Sequence, residues 1–188
     1  MISDVFDKDA IKVLTLFSVS PGSKFTRNEL KSKTFMNNVN LDNTINALVK
    51  NRFLVREKRF FRINFGNEHA KNIIALAREE HLRFKEIPLK IFYLITDFSA
   101  AASKERGLTQ IYLFGSYSKL IYTEKSDVDI AVILKNSNRS AENQLKLLAH
   151  KLEKKFGASI ELHFFVEIDL KQKDKLITEI LRNGISFF

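Results

Sequence analysis

The chain has no cysteine among its 188 residues, which excludes disulfides, thiolate zinc sites and cysteine nucleophiles together. Its four histidines (His69, His81, His150 and His163) show no metal-ligand spacing. No run approaches the ~20 apolar residues a membrane-spanning helix requires. The start, Met1 to Asp9, is polar and acidic rather than signal-like. The expectation is a cytoplasmic protein with no membrane segment. Low-complexity tracts and internal repeats are also missing, so the chain should read as one ordinary domain or two small ones.

Hydrophobic residues make up 45% and charged residues 28%, enough apolar mass for a core and too little charge for a disordered chain. The formal net charge is +9. Residues 1–86 carry 16 Lys/Arg against 10 Asp/Glu, and residues 87–188 carry 15 against 12. The densest basic run is Lys50 to Arg62, where six cations face only Glu57. A patch of that density attracts phosphate backbones through counterion release.

Hydrophobic spacing predicts a helix from about Phe6 to Val19, with Ile11, Leu14 and Phe17 or Ser18 on one face. Ser20-Pro21-Gly22-Ser23 stops it. A short helix follows near Thr26 to Lys33, where Thr26 and Glu29 form a capping box. After Asn37-Asn38 a third helix spans about Leu41 to Asn51; Leu41, Ile45, Leu48 and Val49 face inward, while Asp42, Asn43, Asn46 and Lys50 face out. Two β-like runs, Phe53–Val55 and Phe60–Phe65, are joined by Arg56-Glu57-Lys58-Arg59. Three helices and a basic-tipped hairpin resemble a winged helix-turn-helix domain in element order. That resemblance implies duplex DNA as partner, with Asn43, Asn46, Lys50, Arg52, Arg56, Lys58 and Arg59 as contacts and a two-fold homodimer as the usual assembly. The same module can serve only for protein docking, and the two uses stay open at this point.

A connecting helix is expected from Glu68 to about Lys85, with Ile73, Leu76 or Ala77, and Phe84 inward. Pro88 interrupts it. An apolar helix then runs from Leu89 to Ala102 and closes at Glu105-Arg106-Gly107. The domain boundary is placed near this proline, giving units 1–86 and 87–188. Beyond it strands and helices alternate: strands at Ile111–Phe114, Val128–Leu134 and Ser159–Val166, helices at Ser140–Phe156 and Leu170–Asn183. The fold class is therefore α+β, a winged helix-turn-helix followed by a small α/β domain with a mixed sheet.

The chemistry concentrates in one segment. A strand delivers the chain into Gly115-Ser116, where a glycine admits close backbone approach and amides with a hydroxyl hold phosphate oxygens. Twelve residues after Gly115 come Asp127 and Asp129, two apart on an apolar strand and so on one face. Paired carboxylates repel unless a cation lies between them, and hard oxygen donors favour magnesium or manganese. Strand parity supplies a third acid: Ile160, Leu162 and Phe164 face one way and Glu161 the other. His163 shares the Glu161 face and is read as a structural residue; the 17 phenylalanines are read as core.

The Gly115-Ser116 turn, the Asp127–Asp129 pair and the later Glu161 resemble the DNA polymerase beta nucleotidyltransferase superfamily. The segment 108–188 is most similar to its minimal nucleotidyltransferase group, often encoded beside a HEPN partner. The resemblance implies a metal-dependent transfer of a nucleoside monophosphate from a nucleoside triphosphate such as ATP to an acceptor hydroxyl, of a small molecule or of a partner protein such as a HEPN-type toxin. Asp127, Asp129 and Glu161 would be metal ligands and catalytic residues, with Mg2+ or Mn2+ as cofactor; Gly115, Ser116 and Lys119 would bind nucleotide. Where small family members have glycine after that basic residue, this chain has Leu120. The alternative is a DNA-binding transcriptional regulator whose nucleotidyltransferase domain senses nucleotide or holds a partner without catalysis.

Overall fold

The computed structural model describes residues 7–171 and 174–187. The chain divides into two compact units, 1–93 and 94–188. Among the described residues, no helix is long and apolar enough to cross a membrane.

In the first unit, α1 (Lys8–Val19) is buried over nearly all its length from Lys12 to Ser18, as befits a helix surrounded by others. The start expected at Phe6 lies outside the described residues. The short strand β1 (Phe25–Thr26) leads into α2 (Arg27–Thr34). The expected capping box is present: Thr26 Oγ1 accepts the Glu29 amide at 3.3 Å, and Glu29 Oε2 accepts the Thr26 amide at 2.7 Å. Such caps contribute ~1 kcal/mol each. Next, α3 covers Asn38–Lys50, three residues earlier than the hydrophobic pattern suggested, because the Asn37 side chain caps it by accepting from the Asn40 amide at 2.8 Å. Its buried face is Leu41, Thr44, Ile45 and Leu48; Val49 is only partly buried.

The hairpin β2 (Leu54–Glu57) and β3 (Phe60–Ile63) turns through Lys58-Arg59, with Lys58 at φ 55°. β1 adds to it, giving an antiparallel sheet of order β1-β3-β2. Helix α4 spans Glu68–Arg83 and turns Ala70, Ile74, Ala77 and His81 inward, with Ile73 packed against the same core and Phe84 buried just beyond; of the pair Leu76 and Ala77 it is Ala77 that faces in, Leu76 being 55% exposed. Helical spacing admits both faces. The choice falls to His81, whose Nε2 lies 2.9 Å from the Ile87 carbonyl oxygen and whose ring meets Phe92 edge-on at 5.0 Å.

The division between units falls inside α5 (Leu89–Ala102). The second unit is built on a mixed sheet of order β6-β5-β4-β7. β4 is Leu108–Leu113, β5 is Val128–Leu134, β6 is Ile160–Val166 and β7 is Ile185–Ser186. β5 runs parallel to β6 and antiparallel to β4, which is antiparallel to β7. A single turn, α6 (Gly115–Ser118), follows β4. Helix α7 (Arg139–Phe156) lies on the face of Leu162 and Phe164: Lys146 sits 5.4 Å from the Phe164 ring centre, and Lys155 pairs with Asp97 of α5 at 2.6 Å. Against the opposite face packs α8 (Lys175–Asn183), where Ile180 joins Phe114 and Ala131 in a buried cluster. A 3-10 turn at Asp169–Lys171 stands where the pattern placed the start of that last helix. Residues 172–173 lie outside the described set.

β6 is an edge strand, and such an edge invites pairing with another chain. Two carboxylates blunt it. Glu153 accepts the Ile160 amide and Asp169 the Val166 amide, both at 2.9 Å.

Candidate active site

The parallel register of β5 and β6 sets Asp129 directly opposite Glu161. Side chains two apart on a strand share a face, so His163 joins them. One ligand atom from each of Asp129, Glu161 and His163 lies within 4.8 Å of the others. His163 Nε2 is 3.2 Å from Glu161 Oε1, and its ring meets Phe114 edge-on at 5.1 Å. Asp127, exposed, immediately precedes the first residue of β5 and lies outside that triangle of donors. Glu161 is exposed rather than buried. Its place opposite Asp129, not a burial cost, is what marks it.

The Asp129 carboxyl is pushed above the usual carboxylate range. Burial is the main cause, reinforced by the charges of Glu161 and Asp127; His163 and the Ser116 amide, which donates to the carboxylate, act in the opposite sense. Two hard oxygen donors and one nitrogen held this close, with charge repulsion between the carboxylates, fit a divalent ion.

Gly115 has φ 68°, and a Cβ built there would fall inside the Asp129 carboxylate. Only glycine lets the chain pass this close. The Phe114 amide donates to the Asp129 carbonyl at 3.0 Å, and the Ile121 amide to the Ser116 carbonyl at 3.0 Å, so the turn is stitched at both ends. Tyr117 stacks on Tyr122 with ring centres 4.6 Å apart and planes 14° apart. Burial raises the Tyr117 phenol, with smaller contributions from Tyr122 and Asp127. Lys119 forms an ion pair with Glu179 of α8. Neither the tyrosine stack nor Glu179 carries a signal in the sequence alone. His163 did carry one, in its strand parity with Glu161.

Leu120 occupies the left-handed region at φ 59° and is 50% exposed. That backbone costs a non-glycine residue on the order of 1 kcal/mol, which explains why glycine suits the position. Leu120→Gly should raise stability by roughly 0.5–1 kcal/mol in urea unfolding, because relief of the backbone outweighs the flexibility glycine adds to the unfolded chain. An unchanged or lower midpoint would contradict the left-handed turn.

On the first unit, Asn43, Asn46, Lys50, Arg52, Arg56, Lys58 and Arg59 are all exposed. Among the described residues, none of the five cations in that set forms an ion pair. Arg56 and Arg59 lie over the rings of Phe61 and Phe60, at 5.8 and 5.1 Å. Glu57, the one acid of the run, is taken up by Lys24 at 2.6 Å and by Arg62, and Asp42 by Arg27 at 2.6 Å. Asn43 is exposed on the same helix as Asn46 and Lys50. It lines a hollow of about 360 Å³ that also holds Asp7 and Asp9.

Residues 98–188, which lie within the second unit, match the family described as Polymerase beta, Nucleotidyltransferase. Two similar solved structures are both mutant forms of a toxin–antitoxin pair, MntA-HpeT. One is 23% identical with a TM-score of 0.38 over 50% of this chain and 69% of that one. The other is 26% identical with a TM-score of 0.35 over 50% of this chain and 68% of that one. No curated protein matches the chain.

Proposed function

We propose that this protein is a metal-dependent nucleotidyltransferase that moves a nucleoside monophosphate from a nucleoside triphosphate to an acceptor hydroxyl, and that residues 1–86 are a winged helix-turn-helix module that binds duplex DNA. The observation that carries the catalytic reading is Asp129, set beside Glu161 by strand register and pressed against the Gly115 turn. Asp127, Asp129 and Glu161 are the residues that would hold Mg2+ or Mn2+. When bound, the ion neutralises the triphosphate and eases deprotonation of the acceptor hydroxyl. Gly115 and Ser116 approach the triphosphate through their backbone. Lys119 adds a positive charge once released from Glu179, a surface pair worth no more than ~1 kcal/mol. Glu161 is exposed and so open to an incoming hydroxyl. The acceptor oxygen bonds to the α-phosphorus, the α–β phosphoanhydride bond breaks, pyrophosphate leaves and the hydroxyl proton is lost to a carboxylate or solvent.

The resemblance to minimal nucleotidyltransferases makes a HEPN-type toxin the preferred acceptor and an antitoxin role the matching biology. The test is incubation with α-phosphate-labelled nucleoside triphosphates, magnesium or manganese, and cell extract. Label should appear on one protein or small molecule. No transfer with any of the four nucleotides sinks the reading.

DNA binding is supported by the exposed cations Arg56, Lys58 and Arg59 at the hairpin tip, with Lys50 and Arg52 at its base. With about four phosphates contacted, log affinity should fall with log salt at a slope near −3.6. Replacing Arg56, Lys58 and Arg59 by alanine should flatten that slope by about 2.7 and weaken binding on the order of 100-fold at 0.1 M salt. A salt-independent affinity, or a triple variant that binds normally, would leave the module as a protein-docking unit. A regulator whose second unit senses nucleotide without catalysis remains the rival; it predicts magnesium-dependent nucleotide binding in calorimetry with no label transferred. A homodimer is the assembly that a palindromic operator would require.

A further inference from the structure

We propose that a protein acceptor docks by adding an extended, lysine- or arginine-bearing segment to the open edge of β6, which sets a hydroxyl side chain beside Glu161. The inference rests on the nucleotidyl-transfer reading above and names how an acceptor is held at that site.

Backbone direction carries the first step. The Ser159 carbonyl accepts the Val128 amide at 2.9 Å, and the Glu167 amide donates to the Leu134 carbonyl at 3.0 Å. Direction alternates along a strand, so Glu161, His163 and Phe165 also turn their N–H and C=O groups to β5. Ile160, Leu162, Phe164 and Val166 turn theirs outward, and among the described residues no strand lies beyond β6. The end amides of this outward row, Ile160 and Val166, are the two accepted by Glu153 and Asp169. Leu162 and Phe164 lie between them, both only half-buried. The edge is closed at its ends and open over one short stretch, which suits a few residues of a second chain rather than an unlimited ladder.

Charge selects that chain. From Ser159 to Leu170 the sequence holds Glu161, Glu167 and Asp169 with neither lysine nor arginine, in a protein of net charge +9. Glu161 and Glu167 are exposed. Lys146 lies over the Phe164 ring, on the α7 face and so opposite to the Glu161 side. A second copy of this edge would bring the same three acids against these, whereas a basic segment would neutralise them.

Register then reaches the chemistry. Because the Glu161 backbone points to β5, its opposite on an antiparallel added strand belongs to a non-hydrogen-bonded pair, the closer kind, with Cα atoms ~4.5 Å apart. Opposite side chains share a face. A hydroxyl residue there stands on the face that carries Glu161 and, one strand further in, Asp129. Main-chain bonds to Leu162 and Phe164 hold the segment, so the acceptor needs no pocket of its own.

The test uses the full chain without nucleotide and a peptide of sequence Val-Lys-Val-Thr-Val-Lys-Val, with a second peptide carrying glutamate for lysine. Hydrogen exchange should show the Leu162 and Phe164 amides open in the chain alone and at least about tenfold slower with the lysine peptide at about 1 mM. Leu162→Pro removes one outward N–H and keeps the bonds to β5, while Leu162→Ala removes the same side chain and keeps the N–H. Affinity for the lysine peptide should be about tenfold weaker in Leu162→Pro than in Leu162→Ala. The exchange readout uses the parent chain and stands even if Leu162→Pro folds poorly. Unprotected Leu162 and Phe164 amides, a glutamate peptide that binds as well, or equal affinities in the two variants overturns the proposal. Protection of both amides in a dimer of the chain alone also overturns it. Label transfer to extract proteins that is the same in Leu162→Pro as in Leu162→Ala defeats the docking and leaves the enzymatic reading standing. Protection by the lysine peptide without label transfer does the reverse.

Discussion

Asp129→Asn should abolish nucleotidyl transfer and at the same time raise the melting temperature of the metal-free protein. The two effects have one source. Asp129 is half-buried beside Glu161, with Asp127 near enough to add repulsion, and its carboxyl is raised above the usual range. For an acid whose pKa is higher folded than unfolded, folding binds a proton. Stability then falls as pH rises from the unfolded value, about 3.9, through the folded one, and the full cost persists above it. At pH 7 the wild type carries that cost and asparagine does not. The gap in melting temperature should therefore be widest at neutral pH and close below about pH 4. Asparagine keeps an oxygen to accept the Ser116 amide, so the turn has no reason to move. Activity should drop on the order of 10³-fold or more, the scale seen when a principal catalytic carboxylate is removed. Added Mg2+ or Mn2+ should stabilise the wild type and leave the variant unmoved, since only a state that binds the ion gains from it. A variant that melts lower at pH 7, or that still transfers label, would contradict both the electrostatics and the role.

Such a residue stabilises a reaction at the expense of the fold, and that exchange is what made it legible. A charged side chain amid Val128, Ile130 and Val132 has no packing rationale in the sequence, so it points to a ligand. Strand β5 was readable to its ends for the same reason: apolar residues interrupted at one position by an acid. Glu161 was readable by parity alone, and it is exposed. The nearness of His163 to Asp129 was half readable: strand parity placed it on the face of Glu161, and only the register with β5 brings that face beside Asp129. Register is a property of two strands and cannot be seen in one. On α4 the pattern found Ala77 and Phe84 but missed His81, whose Nε2 meets the Ile87 carbonyl and which thereby becomes a core residue that a hydrophobicity pattern excludes. The two-residue strands β1 and β7 exist only through their partners β3 and β4. Lys119 was readable as a basic residue beside the turn, while its pairing with Glu179 depends on where α8 returns.

Gly115→Ala tests the other half of the site, and its effect should depend on Asp129. Two costs arise at once. The φ of 68° places alanine in the left-handed region, worth on the order of 1 kcal/mol. The new methyl also occupies the space of the Asp129 carboxylate. Because that carboxylate is the far end of a side chain, it yields by swinging away rather than by breaking the sheet, which keeps the total loss of stability at roughly 1–3 kcal/mol. The swing separates it from the Ser116 amide and from its partner Glu161. Transfer activity should then fall at least 100-fold, since a misplacement of about 1 Å at a reacting centre costs that much. In an Asp129→Ala background the methyl meets no carboxylate, so Gly115→Ala should cost only the backbone part, near 1 kcal/mol. The difference between the two backgrounds is the coupling energy of the contact, read from urea unfolding of the four proteins. Equal costs in both backgrounds would mean that Gly115 is required for its conformation alone, and that the close approach of turn and carboxylate does not exist in solution.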